Sequence, residues 1–420
     1  MFSKLKPKSE FSKNVLTLMT GTTIAQAVPI AISPILTRIY TPEDFGIFAL
    51  FIAIVGFFSV IASARYEQAI LIPIQDKDAI NIFALGFIII FMISILLIFI
   101  VVMFNDTFTM LLNNEAISVW LYFIPVTVLF VGVFNLLIFL NNRKKEYKDI
   151  AKATMLKSIV LVVVQLSVGF FKSGADGLIS GQIISQIFAN IKLMKNIFNN
   201  KLLLSNINKI KILVLAKKYK NFPKFQAPHA MLNALSSNLP IYFFTPFFGL
   251  AVVGLYSLST RIVFTPLMIL SGASAKVYNQ QLTLFHNQKK DTYTFTINLL
   301  KTLFKKIFIP FILFIYFAPT IFGTVFGEDW REAGVYTQIL SPWLFMVFFV
   351  SLISFIPNIL NLQKKALIIE IIYTISRLIA LMIGIYFKSI YIAISLFSIV
   401  GFLALSYNIS WMLNSLKRYN

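Results

Sequence analysis

The stretch Ala31–Leu50, AISPILTRIYTPEDFGIFAL, places one arginine and two carboxylates between two strongly apolar segments. The first segment ends at Arg38, and the second begins directly after a Thr-Pro-Glu-Asp sequence. Pro42 suits the first turn of a helix, where its missing N–H is not needed, and Thr41 is a candidate N-cap. The two carboxylates would lie near the positive end of the helix dipole. The stretch therefore predicts two helices joined by a tight corner.

The composition predicts an all-α, polytopic membrane protein. Of the 420 residues, 58% are hydrophobic and 13% are charged, with a mean hydropathy of +0.82, whereas soluble proteins are roughly 45–50% apolar and about 25% charged. The absence of cysteine excludes disulfides and thiolate metal sites, and no metal or other cofactor is expected. A net charge of +21 would fit nucleic acid, but cytoplasmic loops explain it better, so no nucleic-acid partner is expected.

Runs of about 17–25 apolar residues are typical of transmembrane helices. The chain contains twelve such runs, and each is predicted to be one helix. They lie near residues 15–37, 45–64, 79–103, 117–140, 155–171, 177–194, 227–247, 252–272, 303–325, 335–357, 367–387 and 391–413.

The basic residues fix the predicted orientation of these helices. With the N-terminus inside, nearly all lysines and arginines fall on one side, as the positive-inside rule requires. Both termini are therefore expected in the cytoplasm, and the first helix is expected to be retained. The exceptions are Arg38, Lys172, Arg331 and Lys388 on the outer side, and Arg261 and Arg377 within helices.

The two halves of the chain resemble each other. Residues 46–50, GIFAL, open the second predicted helix, and residues 254–258, GLYSL, open the eighth. A polar-polar-proline spacing of i, i+4, i+7 also recurs in the first and seventh helices. We therefore predict two six-helix lobes, residues 1–194 and 226–420, related by a pseudo-two-fold axis along the membrane normal, with a substrate site between them. The basic linker 195–225 is predicted to hold an amphipathic helix on the inner leaflet. The recurring residues are Thr22, Gln26 and Pro29, and Asn233, Ser237 and Pro240.

Two N-terminal motifs carry a family resemblance. SPILTRIYTPEDFGIFALF at residues 33–51, followed by SARYEQAILIP at residues 63–73, resembles the signature of the Wzx-type oligosaccharide flippases. These flippases belong to the multidrug/oligosaccharidyl-lipid/polysaccharide (MOP) exporter superfamily. The resemblance implies a V-shaped pair of lobes around a central cavity. It also implies transfer of an undecaprenyl-diphosphate-linked oligosaccharide, an O-antigen or capsule repeat unit, between leaflets. The expected partners are this glycan, membrane lipid and other membrane proteins of polysaccharide assembly.

Charges within transmembrane segments are the main candidates for a site, because each costs about 2.5–3.5 kcal/mol to insert. Arg261 is the leading candidate to bind the diphosphate, since no acid in its own helix can pair with it and a guanidinium matches phosphate. Structural bonds to helix carbonyls are the alternative for both Arg261 and Arg377. Snorkelling to the headgroups is the alternative for Arg38, and positive-inside anchoring for Arg65. Hydrogen bonds between helices are the alternative for Gln26 and Asn233. Glu67, two residues from Arg65, is not expected to face it. The predicted substrate-binding residues are Arg261, Arg377, Arg65, Arg38, Gln26 and Asn233.

Two other classes of function remain as alternatives. A multidrug exporter of the same superfamily should carry acidic groups in its cavity, whereas two arginines and one glutamate lie within the helices here. An enzyme of polysaccharide assembly would need catalytic carboxylates or histidines in a sizeable outer loop. The outer loops are short, and no P-loop motif occurs. The sequence therefore favours a transporter of an anionic substrate over an enzyme.

Glu370 is the predicted ion-coupling residue, because every other acid lies in a loop or at a helix end. If a proton or sodium gradient drives transport, Glu370→Gln should weaken the gradient-dependent rate in liposomes while the protein still inserts. A variant whose response to the gradient equals that of the wild type would reject this role.

Overall fold

The computed structural model describes residues 10–171, 174–198, 204–360 and 362–419, which form α-helices and contain no strand. The expectation of an all-α protein is confirmed. The first eleven helices are α1 Glu10–Ala31, α2 Ser33–Ile39, α3 Pro42–Ile61, α4 Tyr66–Ala69, α5 Asp76–Leu111, α6 Ser118–Leu121, α7 Ile124–Arg143, α8 Tyr147–Phe171, α9 Asp176–Phe198, α10 Lys209–Lys218 and α11 Ala227–Phe248. The remaining helices are α12 Leu250–Asn287, α13 Thr292–Tyr316, α14 Ala318–Phe326, α15 Arg331–Ile353, α16 Ile356–Ile359, α17 Gln363–Tyr386 and α18 Ile390–Tyr419.

Each of the twelve predicted segments is helical, although the first, fourth, ninth and tenth are each divided between two helices. Within the described ranges, nine helical spans are long and apolar enough to cross a membrane, or ten if the bent pair α13–α14 is one span. Helices α9 and α11 contain 23 and 22 residues, so they are long enough but more polar. The predicted basic ends at residues 1–9 and at Lys172 lie outside the described residues.

Four helices extend well beyond their predicted bounds: α8 and α13 begin earlier, and α5 and α12 end later. Helix α5 continues to Leu111 through the predicted outer loop NDTFTMLLNNE, with a non-helical residue at Phe104. Helix α12 continues to Asn287, about fifteen residues past the predicted end. At 1.5 Å per residue α5 and α12 are about 54 Å and 57 Å long, against a hydrocarbon core of about 30 Å. A hydropathy pattern marks where the apolar stretch ends, and a helix can continue beyond it into water.

The corner that opens α3 has the predicted chemistry. The Thr41 side chain accepts a hydrogen bond from the backbone N–H of Asp44 at 3.3 Å. The Asp44 carboxylate in turn accepts from the Thr41 N–H at 2.9 Å, which completes a capping box, and Pro42 occupies the first turn. The assignment of these residues to a helix start is confirmed.

Prolines interrupt the first span, and neighbouring side chains satisfy the freed carbonyls. Pro29 cannot donate to the carbonyl of Ala25, and the Ser158 hydroxyl of α8 donates to that oxygen at 2.7 Å. The Ser33 hydroxyl donates to the Pro29 carbonyl at 2.7 Å, directly after the break at Ile32. The break between α1 and α2 is therefore compensated from inside the protein.

The ninth predicted span is broken rather than a single helix from 303 to 325. Helices α13 and α14 meet at an angle of 65°. Pro319 in the first turn of α14 leaves the Ile315 carbonyl without its helical donor. The Gln338 amide from α15 donates to the carbonyls of Ile315 and Tyr316 at 3.0 and 3.3 Å. Gly334 allows the close approach, since a Cβ there would lie 2.5 Å from the Pro319 Cα.

The predicted amphipathic helix of the linker is α10. The Asn81 side chain of α5 holds its start, accepting from the Asn208 N–H at 2.8 Å and donating to the Asn206 carbonyl at 2.9 Å. The Tyr66 hydroxyl donates to the Ala216 carbonyl at 3.0 Å. Its location on the inner leaflet stays a prediction.

Contacts divide the chain into two compact units. The first contains residues 1–246 and the second residues 247–420. Within the first unit, Tyr242 of α11 donates its hydroxyl to the Ala53 carbonyl of α3 at 2.8 Å. The lobes predicted at 1–194 and 226–420, the linker bounds 195–225 and the two-fold axis between the lobes stay predictions.

The bend between α13 and α14 should depend on Gln338. Gln338→Leu removes two hydrogen bonds and leaves two carbonyls in an apolar setting, so it should destabilise the fold by about 2 kcal/mol. Thermal unfolding of the detergent-solubilised protein measures this. Gln281→Leu, at an exposed position on α12, is the matched control and should unfold at the wild-type temperature. Equal unfolding temperatures for both variants would show that the amide does not stabilise the bend.

Candidate substrate site

Arg261 lies within the apolar part of α12 and is partly exposed. It is eleven residues from Leu250, or about 16 Å along the axis, which is about half the thickness of a 30 Å hydrocarbon core. Ser257 and Thr265 lie one turn before and after it on the same face, and both are partly exposed. No other side chain that the structure describes forms a hydrogen bond, ion pair or ring contact with Arg261. This helix face is therefore polar, and the cation at its centre has no partner among the described residues.

The opposite face of α12 is tightly packed. Ser259 and Thr337 of α15 are fully buried, and their hydroxyls are 2.8 Å apart. Tyr256 on the same face is 4% exposed. Because this packing fixes the rotation of α12 about its axis, Arg261 is held on the face directed away from α15.

Arg377 of α17 has a different environment. The residue is 4% exposed, and its guanidinium carbon lies over the rings of Phe397, Tyr373 and Trp343 at 4.1, 5.0 and 5.4 Å from their centroids. Trp343 also donates from Nε1 to the Tyr373 hydroxyl at 3.0 Å. The rings join α15, α17 and α18 around the cation. Arg377 therefore has the surroundings of a structural residue, and its predicted contact with the substrate stays a prediction.

Arg65 is paired with Glu67, contrary to the expectation that the two do not face each other. Ala64 and Arg65 have φ angles of 49° and 65°, so the chain turns through left-handed conformations before α4 begins. This turn brings Arg65 Nη1 within 3.4 Å of Glu67 Oε1, and the Ser63 hydroxyl donates to Glu67 Oε2. The expectation was wrong because the spacing rule that it used holds only within a continuous helix.

The other predicted residues are separated along the chain. Gln26 on α1, Arg38 in the last turn of α2 and Asn233 on α11 are all exposed and belong to the first unit. Glu370 on α17 is partly exposed and belongs to the second unit, with Arg261 and Arg377. Each unit thus contains part of the predicted set, and the roles of these residues in binding or coupling stay predictions.

A buried polar set in α9 was missed in the sequence. Gln186 is fully buried, and neither polar atom of its amide has a hydrogen-bond partner among the described residues. Asn190, one turn further on, donates to the Phe130 carbonyl of α7 at 2.9 Å. The polar residues of SQIFAN, residues 185–190, were the available signal, but their burial depends on how α9 packs on its neighbours.

Solved structures show the class of fold. The chain is similar to a multidrug resistance MATE family transporter of the MOP superfamily in an inward-facing conformation, with a TM-score of 0.66 at 16% identity over 96% of both chains. It is also similar to a MOP superfamily transporter from Pyrococcus furiosus, with a TM-score of 0.63 at 14% identity over 97% of both chains. The similarity to a MATE transporter of Vibrio cholerae has a TM-score of 0.61 at 12% identity over 97% of both chains. The protein therefore has the fold of the MOP superfamily transporters.

The sequence itself identifies the family. Residues 35–335 match the model of the family described as polysaccharide biosynthesis protein. This match covers more than half of the chain, so the protein belongs to that family. The resemblance of the two N-terminal motifs is thereby confirmed. No curated protein matches the chain.

The two arginines of the second unit should differ in their effect on stability. Arg377→Met removes a desolvated cation from three rings and should destabilise the protein by about 2 kcal/mol or more. Arg261→Met breaks no described contact and should unfold at or above the wild-type temperature. Thermal unfolding in detergent compares the two. A larger loss for Arg261→Met would contradict the assignment of their environments.

Proposed function

We propose that the protein moves an undecaprenyl-diphosphate-linked oligosaccharide, an O-antigen or capsule-type repeat unit, from the inner to the outer leaflet of the bacterial inner membrane. The polysaccharide biosynthesis family and the MOP transporter fold both support such a flippase. The observation that carries the proposal is Arg261 on the polar face of α12, a cation without a partner among the described residues.

The energy of an unpaired cation argues for a binding role. A mid-span arginine costs a few kcal/mol unless water, a partner or a ligand solvates its guanidinium. The guanidinium of Arg377 contacts aromatic rings, and that of Arg65 is paired with the Glu67 carboxylate. The described part of the chain gives Arg261 no such partner. A diphosphate would supply charge-assisted, bidentate hydrogen bonds to the planar guanidinium. Arg261 is therefore the proposed diphosphate anchor, with Arg377, Arg65, Arg38, Gln26 and Asn233 as candidate contacts for the rest of the substrate.

The charge balance separates this proposal from its main alternative. A multidrug exporter of organic cations is the second candidate, because several structures with this fold are MATE transporters. Such a substrate would favour carboxylates in the transport path, whereas Arg261 is positive. For the Pyrococcus furiosus transporter, the reverse polarity of its binding pocket suggests a different function. In the same way, a positive site supports an anionic substrate here.

Catalysis is not part of the proposal. The corners predicted to lie on the outer side are short, such as the turn between α14 and α15, where Arg331 Nε lies 2.7 Å from Glu328 Oε2. Coupling to a proton or sodium gradient through Glu370 is the proposed energy source.

The test is transport of a labelled undecaprenyl-diphosphate oligosaccharide in liposomes, with Arg261 varied. Arg261→Ala should abolish transfer between leaflets without lowering the amount of protein in the membrane. Arg261→Lys keeps the positive charge but loses the planar guanidinium that can bind a phosphate bidentately, so it should retain part of the transport rate. Arg331→Ala is the matched control, since it removes the same charge from a surface corner, and should transport normally.

The outcome that contradicts the proposal is a wild-type rate for Arg261→Ala at normal abundance. Export of an organic cation by the wild-type protein, with no transfer of the glycan, would instead support the multidrug exporter.

A further inference from the structure

A groove runs along helices α17 and α18 within the second unit. The part of the groove beside the middle of the two helices is an apolar cavity of about 330 Å³, bounded by residues such as Ile372, Leu403 and Ala404. The part near the C-terminal end of α18 is a polar cavity of about 210 Å³, bounded by Lys365, Arg418 and polar side chains. Tyr407 lines both cavities, so they adjoin each other along the helix pair.

The polar cavity has the charge of an anion site. Lys365 and Arg418 line it, and its lining contains no acidic residue. The Lys365 ammonium lies 4.9 Å from the centroid of the Trp411 ring, which restrains it at the cavity wall. Arg418 is exposed and forms no ion pair or hydrogen bond with any side chain that the structure describes. Ser410 and Asn414 add polar groups to the same wall.

The shape of the groove matches a lipid. From Val400 at the apolar end to Arg418 at the basic end, α18 rises about 27 Å, which is long enough for the headgroup and acyl chain of one lipid, since one leaflet with its headgroups is about 20–22 Å thick. The apolar part can hold an acyl chain, and the basic part lies where a phosphate would be. The charge pattern of the sequence predicts this end to be cytoplasmic, and juxtamembrane cations attract anionic headgroups there.

We propose that this groove binds one anionic phospholipid, with its phosphate between Lys365 and Arg418 and one acyl chain against Ile372, Leu403 and Ala404. The lipid would join α17 to α18 and so stabilise the second unit. This site is separate from Arg261, and the proposal does not depend on the identity of the transported substrate.

Native mass spectrometry of the full chain in detergent, titrated with long-chain phosphatidylglycerol, tests the headgroup contact. Each of Lys365→Gln and Arg418→Gln should weaken binding about fivefold, since a basic residue near an anionic headgroup contributes about 1 kcal/mol. Lys364→Gln and Lys417→Gln remove the same charges from exposed neighbours outside the cavity and should bind as the wild type does. Equal weakening by both pairs of variants would reduce the effect to net charge and overturn the site.

The acyl-chain contact has its own test. Ala404→Phe fills the groove and should weaken binding of the long-chain lipid, whereas Ile399→Phe, exposed on the same helix outside the groove, should not. Phosphatidylcholine and inorganic phosphate are expected to bind far more weakly than phosphatidylglycerol. Binding of phosphate alone with equal affinity would show a free-anion site. Tighter binding of undecaprenyl phosphate would assign the groove to the carrier lipid. Either result would overturn the phospholipid assignment.

Discussion

Every backbone N–H and C=O inside the hydrocarbon layer needs a partner from the protein, because lipid tails offer none. This constraint explains how the helices tolerate their breaks. Ser158 donates to the carbonyl that Pro29 leaves free, and Gln338 donates to two carbonyls at the bend before α14. Side chains on neighbouring helices therefore determine where a helix may be interrupted. The bends of the first and ninth spans are properties of helix pairs rather than of single helices.

The same requirement applies to buried charge, and the protein meets it in different ways. Arg377 is surrounded by three aromatic rings, and Arg65 is next to a carboxylate that the Ser63 hydroxyl also contacts. Both arrangements stabilise the charge locally, one through the faces of aromatic rings and the other through an ion pair. Arg261 differs, because its neighbours along the helix face are Ser257 and Thr265 and no counter-charge is near in sequence. The three arginines therefore differ in what surrounds their guanidinium groups.

Much of the fold was predictable because hydropathy responds to the membrane itself. The twelve apolar segments, the capped start of α3 and the amphipathic helix α10 depend on local sequence, and the structure has all of them. The end of α12 and the bend at Phe317 were not predictable, because polar helical turns and tertiary hydrogen bonds decide them. The site was predictable to the level of Arg261 as an intramembrane charge. Tyr373 lies one turn from Arg377 on α17, but Trp343 and Phe397 come from α15 and α18, so the burial of Arg377 required the structure. The pairing of Arg65 depended on two left-handed residues that no spacing rule anticipates.

Helix α12 is long, and it contains a proline well before its C-terminal end. Pro266 lies sixteen residues after Leu250, and the helix continues for another twenty-one residues, or about 32 Å, to Asn287. Proline is a common point of bending in a helix, because the carbonyl one turn earlier has no backbone donor. A change of about ten degrees at this point would move the far end of the helix by about 5 Å, while the packed residues around Ser259 stay in place. A small change of the bend angle near Arg261 would thus displace the C-terminal end of the same helix by about one helical pitch.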